Sequence, residues 1–439
     1  MAGLAWGFAA PLAPLTAAPV ASARTVLDNG LVVITSHSEA TNIVATEVLV
    51  RASALDEPAD KAGLRQLVQQ LLVRGSADMS GEELARALDT VGAELDTGLT
   101  ADYVHVQLVC LGQDLEPALK LLAEIIRRPA FPEQEIEGQR QAARAFLQRL
   151  GGNPFEMAQL LLRQGLYRDH PYARPTQGTQ ESLDSITRAD IVDFDRHYYV
   201  PNNTIIAIAG AQADAALPLV QRYFGDWQKA DPSTPLRTRL PPAAASTVKP
   251  LERSAVRLRQ APVGQAHFML GFVVGPPTRD TYPVLEVIRA LLGRGMGSRF
   301  FASLRDGAAR AYEADAYQFA LSRGGYVAAY VVTEARNLDA TKDAIAAEFA
   351  RLRSEPVAAD ELRRAQQYAA GTHLLSHQRV KDRALHLAWY EALGLGCDFD
   401  DHYAGAVGSV TASQIQALAR AWFGHYALGL VLPAAGEGP

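Results

Sequence analysis

Cysteine is almost absent from this chain, with only Cys110 and Cys397 among 439 residues. The two lie far apart and in no CxxC pattern, which excludes a disulfide framework and a zinc ribbon. There is no Lys/Arg cluster of the kind that tracks phosphates, and the formal net charge is −6, so nucleic acid is not an expected partner. The first 23 residues, MAGLAWGFAAPLAPLTAAPVASA, carry no charge before Arg24 and lack the basic start of a secretory signal. Prolines at positions 11, 14 and 19 argue against a membrane-spanning helix there, and no later segment is a transmembrane candidate. Two readings of residues 1–23 stay open: the apolar remnant of an export signal ending at Ala-Ser-Ala, or a loosely docked N-terminal arm.

What is present is a globular composition, 48% hydrophobic and 21% charged, on a chain too long for one ordinary core. Residues 24–36, RTVLDNGLVVITS, read as two strands joined at Asp28, Asn29 and Gly30, a strong hairpin signal. Residues 43–52 read as a strand and 62–74 as a helix, with Leu64, Leu67, Val68, Leu71 and Leu72 on one face and Gly75 as its stop. Helices are expected over 81–91, 114–127, 133–150, 155–166 and 188–198, and strands over 103–110 and 204–210. The order is that of an α+β protein rather than a regular βαβ series.

The chain repeats itself. Ser185-Ile-Thr-Arg-Ala-Asp-Ile191 matches Ser409-Val-Thr-Ala-Ser-Gln-Ile415, with Thr187 and Thr411 as helix N-caps and an offset of 411 − 187 = 224. The helix after Pro132 resembles the one after Pro356 at the same offset, 356 − 132 = 224. Two signals at one offset imply two copies of a domain of about 200 residues. The expected division is 24–228, a Pro/Ala/Ser/Thr-rich linker at 229–253, and 254–437.

The segment 291–312, LLGRGMGSRFFASLRDGAARAY, holds a glycine-rich turn (Gly293, Gly295, Gly297), then Phe300, Phe301 and Leu304 at near-helical spacing. It ends on Arg305 and Tyr312, seven residues apart. A guanidinium fork and a phenol could together hold and polarise a peptide carbonyl. The bland alternative is a helix C-terminus with a solvated Arg and a half-buried Tyr. His373 and His377 stand one helical turn apart, which is ligand spacing, but without an intervening Glu they read as a helix surface or a helix–helix contact. His105 reads as a packed or solvent-facing strand residue.

From about Thr25 to Leu432 the chain resembles the M16 (insulinase and mitochondrial processing peptidase-like) family. The resemblance is carried by DNGLVVI, by AGLRQLVQQLLVRGS, by the run from LYRDHPYARPTQGTQESLDSITRADIVDF to HYYVPNNTIIAIAG, and by the 291–312 segment. It implies two homologous α+β domains, each a mainly antiparallel sheet covered by helices, together forming half of a clamshell. Catalytic members carry His-x-x-Glu-His on a first-half helix, two zinc ligands one turn apart with a general base between them. The matching positions here are Gln66, Gln69 and Gln70, and the acidic third ligand falls at Phe146, in a stretch (142–150) without a carboxylate. The resemblance thus implies a degenerate zinc motif and no metal in this chain. Arg305 and Tyr312 match the family's second-half Arg/Tyr pair, and Gly295, Gly297 and Ser298 its glycine-rich, substrate-binding loop; the run between the pair, DGAARA, departs from the usual basic one. The implied protein is the Arg/Tyr-bearing subunit of a heterodimeric zinc peptidase, with zinc in a partner subunit and peptide or unfolded polypeptide as substrate. An export signal would place it in a bacterial periplasm, the alternative being the cytoplasm. A second reading is a catalytically silent structural or recognition subunit, of the processing-peptidase or respiratory-complex-core type.

Overall fold

The structure is a computed structural model that describes residues 22–150, 152–229, 248–306 and 310–434. Most of the expected N-terminal segment (1–21) and of the linker (230–247) therefore lies outside the described residues. The first half contributes β1 (Ala23–Val26), β2 (Val32–His37), β3 (Ile43–Val50), α1 (Leu64–Leu71), α2 (Gly81–Thr90), β4 (Glu94–Leu99), β5 (Val104–Leu111) and α3 (Leu115–Arg127). It continues with α4 (Glu133–Leu150), α5 (Pro154–Tyr167), α6 (Gln180–Ser185), α7 (Arg188–Tyr198), β6 (Thr204–Gly210) and α8 (Ala216–Phe224). The second half contributes β7 (Ala255–Ala261), β8 (Ala266–Val273), α9 (Thr281–Gly293), β9 (Glu313–Phe319), β10 (Tyr326–Thr333), α10 (Leu338–Ser354), α11 (Ala359–Ser376), α12 (Val380–Ala392), α13 (Phe399–Gly408), α14 (Ala412–Trp422) and β11 (Ala427–Pro433).

The repeat is visible in the topology. The first sheet runs β1-β2-β6-β3-β5-β4 and the second β7-β11-β8-β10-β9. In each, one pair is parallel (β2 with β6, β7 with β11) and the remaining pairs are antiparallel. Thr187 and Thr411 cap α7 and α14 with the same box, accepting from the backbone N–H groups of Asp190 and Gln414. The hairpin at Asp28-Asn29-Gly30 is present, with Gly30 at φ 84°. β4 was not expected from the sequence: its ELDTGL pattern has weak strand formers and sits half-exposed at a sheet edge.

The helices that cover the sheets are exchanged between the halves. One face of the first sheet packs on α1, α3 and α7 of its own half. The other face meets α12 of the second half, through Leu49, Ile205 and Ala207 against Leu387 and Ala388. Reciprocally α5 of the first half lies on β8 and β11, setting Met157, Leu161 and Leu162 against Met269, Ala328 and Val431. The approach is close because small residues line it: a Cβ on Gly429 would stand 2.2 Å from the Ala158 carbonyl oxygen. Each half thus completes the hydrophobic core of the other.

Candidate functional site

Helix α1 carries the three glutamines, and its placement is built from below. Gly63 precedes it at φ 94°, a conformation that L side chains rarely adopt. Arg65, in its first turn, is buried against an equally buried Glu57. The Arg65 backbone N–H donates to Glu57 Oε1 at 2.8 Å, and Nε lies 3.4 Å from Oε2. Its Nη1 donates to the carbonyls of Ala52 (2.6 Å) and Thr100 (3.0 Å), tying α1 to the ends of β3 and β4. Burial pushes the Glu57 acid up and Arg65 opposes it.

Gln69 is buried and donates through Nε2 to Thr97 Oγ1 on β4. The side-chain carbonyl oxygens of Gln66 and Gln70 are buried without a hydrogen-bond partner. Phe146 is half-buried on α4, the helix that packs along α1. This donor set does not fit zinc: an amide oxygen is a poor ligand, a phenyl ring is none, and nothing at Gln69 can accept a proton from water.

In the second half, α9 ends at the glycine-rich turn. Gly295 has φ 81°, and a Cβ there would meet the Tyr368 ring at 2.9 Å. Ser298 is buried, and its N–H donates to Gly295 O at 3.2 Å, which closes the turn; a Cβ on Gly297 would point into open space. Arg299 holds the turn to α11 by two bonds to Glu361, of 2.7 and 2.9 Å. Phe300 and Leu304 enter the second core, as their spacing predicts, and the backbone widens into a π-helical turn over Phe301–Asp306. Arg305 sits in that turn, its side chain outside the described residues.

Tyr312 stands just before the edge strand β9. Its N–H donates to Val332 O at 2.9 Å, its hydroxyl donates to Glu334 Oε1 at 3.2 Å, and it is 55% exposed rather than half-buried. The structure thus brings Gly295, Gly297, Ser298, Arg305 and Tyr312 onto one connection between α9 and β9. The glutamines belong to the other core.

His105 is packed: its Nδ1 lies 3.0 Å from Oε1 of Glu47, a carboxylate wholly buried under α12. Burial lowers the affinity of His105 for a proton, but the hydrogen bond and charge of Glu47 outweigh it and the net shift is upward. His373 and His377 lie in a contact between α11 and α13, where Asp400 joins them. Spacing could not have revealed that third group, which comes from another helix.

Comparison with known proteins gives a consistent answer. Residues 32–180 match the family described as insulinase (peptidase family M16), and residues 185–368 match the peptidase M16 inactive domain. The chain belongs to the M16 family. It is 23% identical over 411 residues to an uncharacterized zinc protease of Bacillus subtilis, covering 93% of this chain and 98% of that one. Its fold is that of a protease from Helicobacter pylori (TM-score 0.84, 18% identity, 94% of this chain and 100% of the other). A peptidase M16 inactive domain from Pseudomonas fluorescens is similarly close (TM-score 0.81, 20% identity, 95% and 100%). Among the described residues no helix is long and apolar enough to cross a membrane.

Proposed function

We propose that this chain is the subunit without a catalytic zinc site in a heterodimeric M16 peptidase. Arg305 and Tyr312 bind the substrate backbone and stabilise charge that develops on the scissile carbonyl oxygen. The zinc and the general base belong to the partner subunit. The observation that carries the reading is a pairing: α1 has no metal-binding chemistry, while the Tyr312 hydroxyl is set out in solvent beside an edge strand, its hydrogen resting on Glu334 until a substrate carbonyl takes it. An extended peptide could add to such an edge through main-chain hydrogen bonds, which places its carbonyls within reach of side chains at the strand's start. Fixed donors of this kind contribute about 2.7–4 kcal/mol each to transition-state stabilisation.

The test uses a quenched fluorescent peptide with this chain alone, with an M16 subunit bearing an intact His-x-x-Glu-His helix, and with the two mixed. Hydrolysis should appear on mixing and be absent for this chain alone. Arg305→Ala and Tyr312→Phe should each lower turnover by about 100-fold or more without loss of co-elution with the partner. Unchanged turnover in both variants would leave the structural or recognition subunit as the better reading.

A further inference from the structure

We propose that His373, His377 and Asp400 form a divalent-cation site of the kind zinc occupies, with a fourth position open to the cleft beside α11. His373 Nε2 lies 3.1 Å and His377 Nε2 2.8 Å from the same oxygen, Asp400 Oδ1. One ligand atom from each of the three residues falls within 4.8 Å of the others. Two His one turn apart, His373 in the last turn of α11 and His377 at its C-cap, and one carboxylate from the first turn of α13 make an N₂O set, which suits zinc and its first-row neighbours.

The hydrogen bonds around the cluster orient it. A backbone carbonyl can only accept, so at 2.7 Å from His373 O the His377 Nδ1 must carry a hydrogen. In a neutral ring this leaves the Nε2 lone pair facing both Asp400 oxygens, at 2.8 and 3.0 Å. Acceptor facing acceptor requires a positive charge between them, either a proton on Nε2 or a metal ion. The same carbonyl–imidazole relay is the usual outer support of a metal-bound His. Asp400 Oδ2 is supported in turn by Arg383, 3.5 Å away, whose own charge is balanced by Asp401.

The fit needs little movement at the carboxylate. Tetrahedral zinc with ligand bonds of about 2.0–2.1 Å separates its ligand atoms by about 3.3 Å, a few tenths of an ångström more than the two His–Asp400 contacts, while the two imidazole nitrogens start from a separation of at most 4.8 Å. The Tyr403 ring stacks on His373 at 3.7 Å and holds one side. Of the three ligands His373 also lines a cleft of about 310 Å³, whose walls include Glu286, Arg289, Ser376, His386 and Tyr403, and a water ligand would reach the ion from there. His386 donates its own Nδ1–H to Asp382 O and stacks on His377, so a third imidazole stands next to the cluster without joining it. The assignment concerns α11 and α13 and is independent of the roles given to Arg305 and Tyr312.

Chelator-stripped, full-length protein titrated with Co²⁺ tests this. One Co²⁺ per chain should bind with visible ligand-field bands, be displaced by one Zn²⁺, and raise the melting temperature. His377→Ala and Asp400→Asn should weaken Co²⁺ binding by about 100-fold or more, beyond what losing an outer hydrogen-bond partner costs. Gln66→Ala should change nothing, which separates this site from the first-half helix. If a buried variant fails to fold, His373→Gln in folded protein should still abolish the Zn²⁺-dependent melting shift. Failure of the native chain to bind Co²⁺ at unit stoichiometry, or full binding by His377→Ala, would overturn the assignment.

Discussion

Replacing Arg65 by Met should unfasten α1, and the structure sets the size of the effect. The substitution keeps the aliphatic volume but removes the counter-ion of a buried carboxylate. It also strips the donor from the carbonyls of Ala52 and Thr100. Removing one partner of a buried pair costs about 3–5 kcal/mol, and each orphaned carbonyl falls within that total at about 1–3 kcal/mol. Glu57 can escape part of the penalty by keeping its proton. Its pKa already lies above the ordinary 4.5 with Arg65 in place, and without the guanidinium it rises further. An acid raised in the folded state costs nothing while both states are protonated, and the cost accumulates as pH climbs from 4.5 through the folded value. The deficit of Arg65→Met should therefore be larger at pH 7 than at the acid end. Urea unfolding followed by circular dichroism, at both pH values, measures it. The double variant Arg65→Met, Glu57→Leu should recover part of the loss, because the uncompensated charge is gone, while the Ala52 and Thr100 carbonyls and the residue-65 N–H stay unpaired. A single-variant loss below about 1 kcal/mol, or a double variant no better than the single, would refute the reasoning.

Three further outcomes follow from the geometry. Gly63→Ala should lower stability by about 1–3 kcal/mol, because φ 94° is strained for Ala and its Cβ would stand 2.7 Å from Gln177 O; thermal melting checks it. Gly429→Val should push α5 off β11, at a cost of at least the roughly 1–3 kcal/mol of ordinary overpacking, and expose the second sheet to a dye that binds apolar surface. His105 binds its proton more tightly folded than unfolded, so its contribution is complete below 6.5 and is lost as pH rises through the folded value. In His105→Gln the difference in unfolding midpoint from the native chain should shrink over that rise, and a constant difference would count against the Glu47 pairing.

The parts of this protein that were legible beforehand are those where local chemistry and tertiary structure agree. The capping boxes at Thr187 and Thr411 announced α7 and α14 and, through their common offset, the duplication. The runs 43–52 and 204–210 read as strands, and they form β3 and β6. β4 escaped because an edge strand needs neither bulky nor branched residues on its open side. The exchange of α5 and α12 escaped for a different reason. Met157, Leu161 and Leu162 show that α5 has a buried face, but periodicity carries no address for the sheet that buries it. Asp400 and Glu57 were illegible in the same way: a carboxylate becomes half of a pair only when the fold delivers its partner.

The traded helices also bear on how such a chain could arise. A single-unit ancestor would have left one side of its sheet bare and had to associate with its twin, each lending an arm to the other. Fusing the two genes would then have captured an existing embrace rather than created one, leaving each copy free to lose what the other, or a third party, could supply.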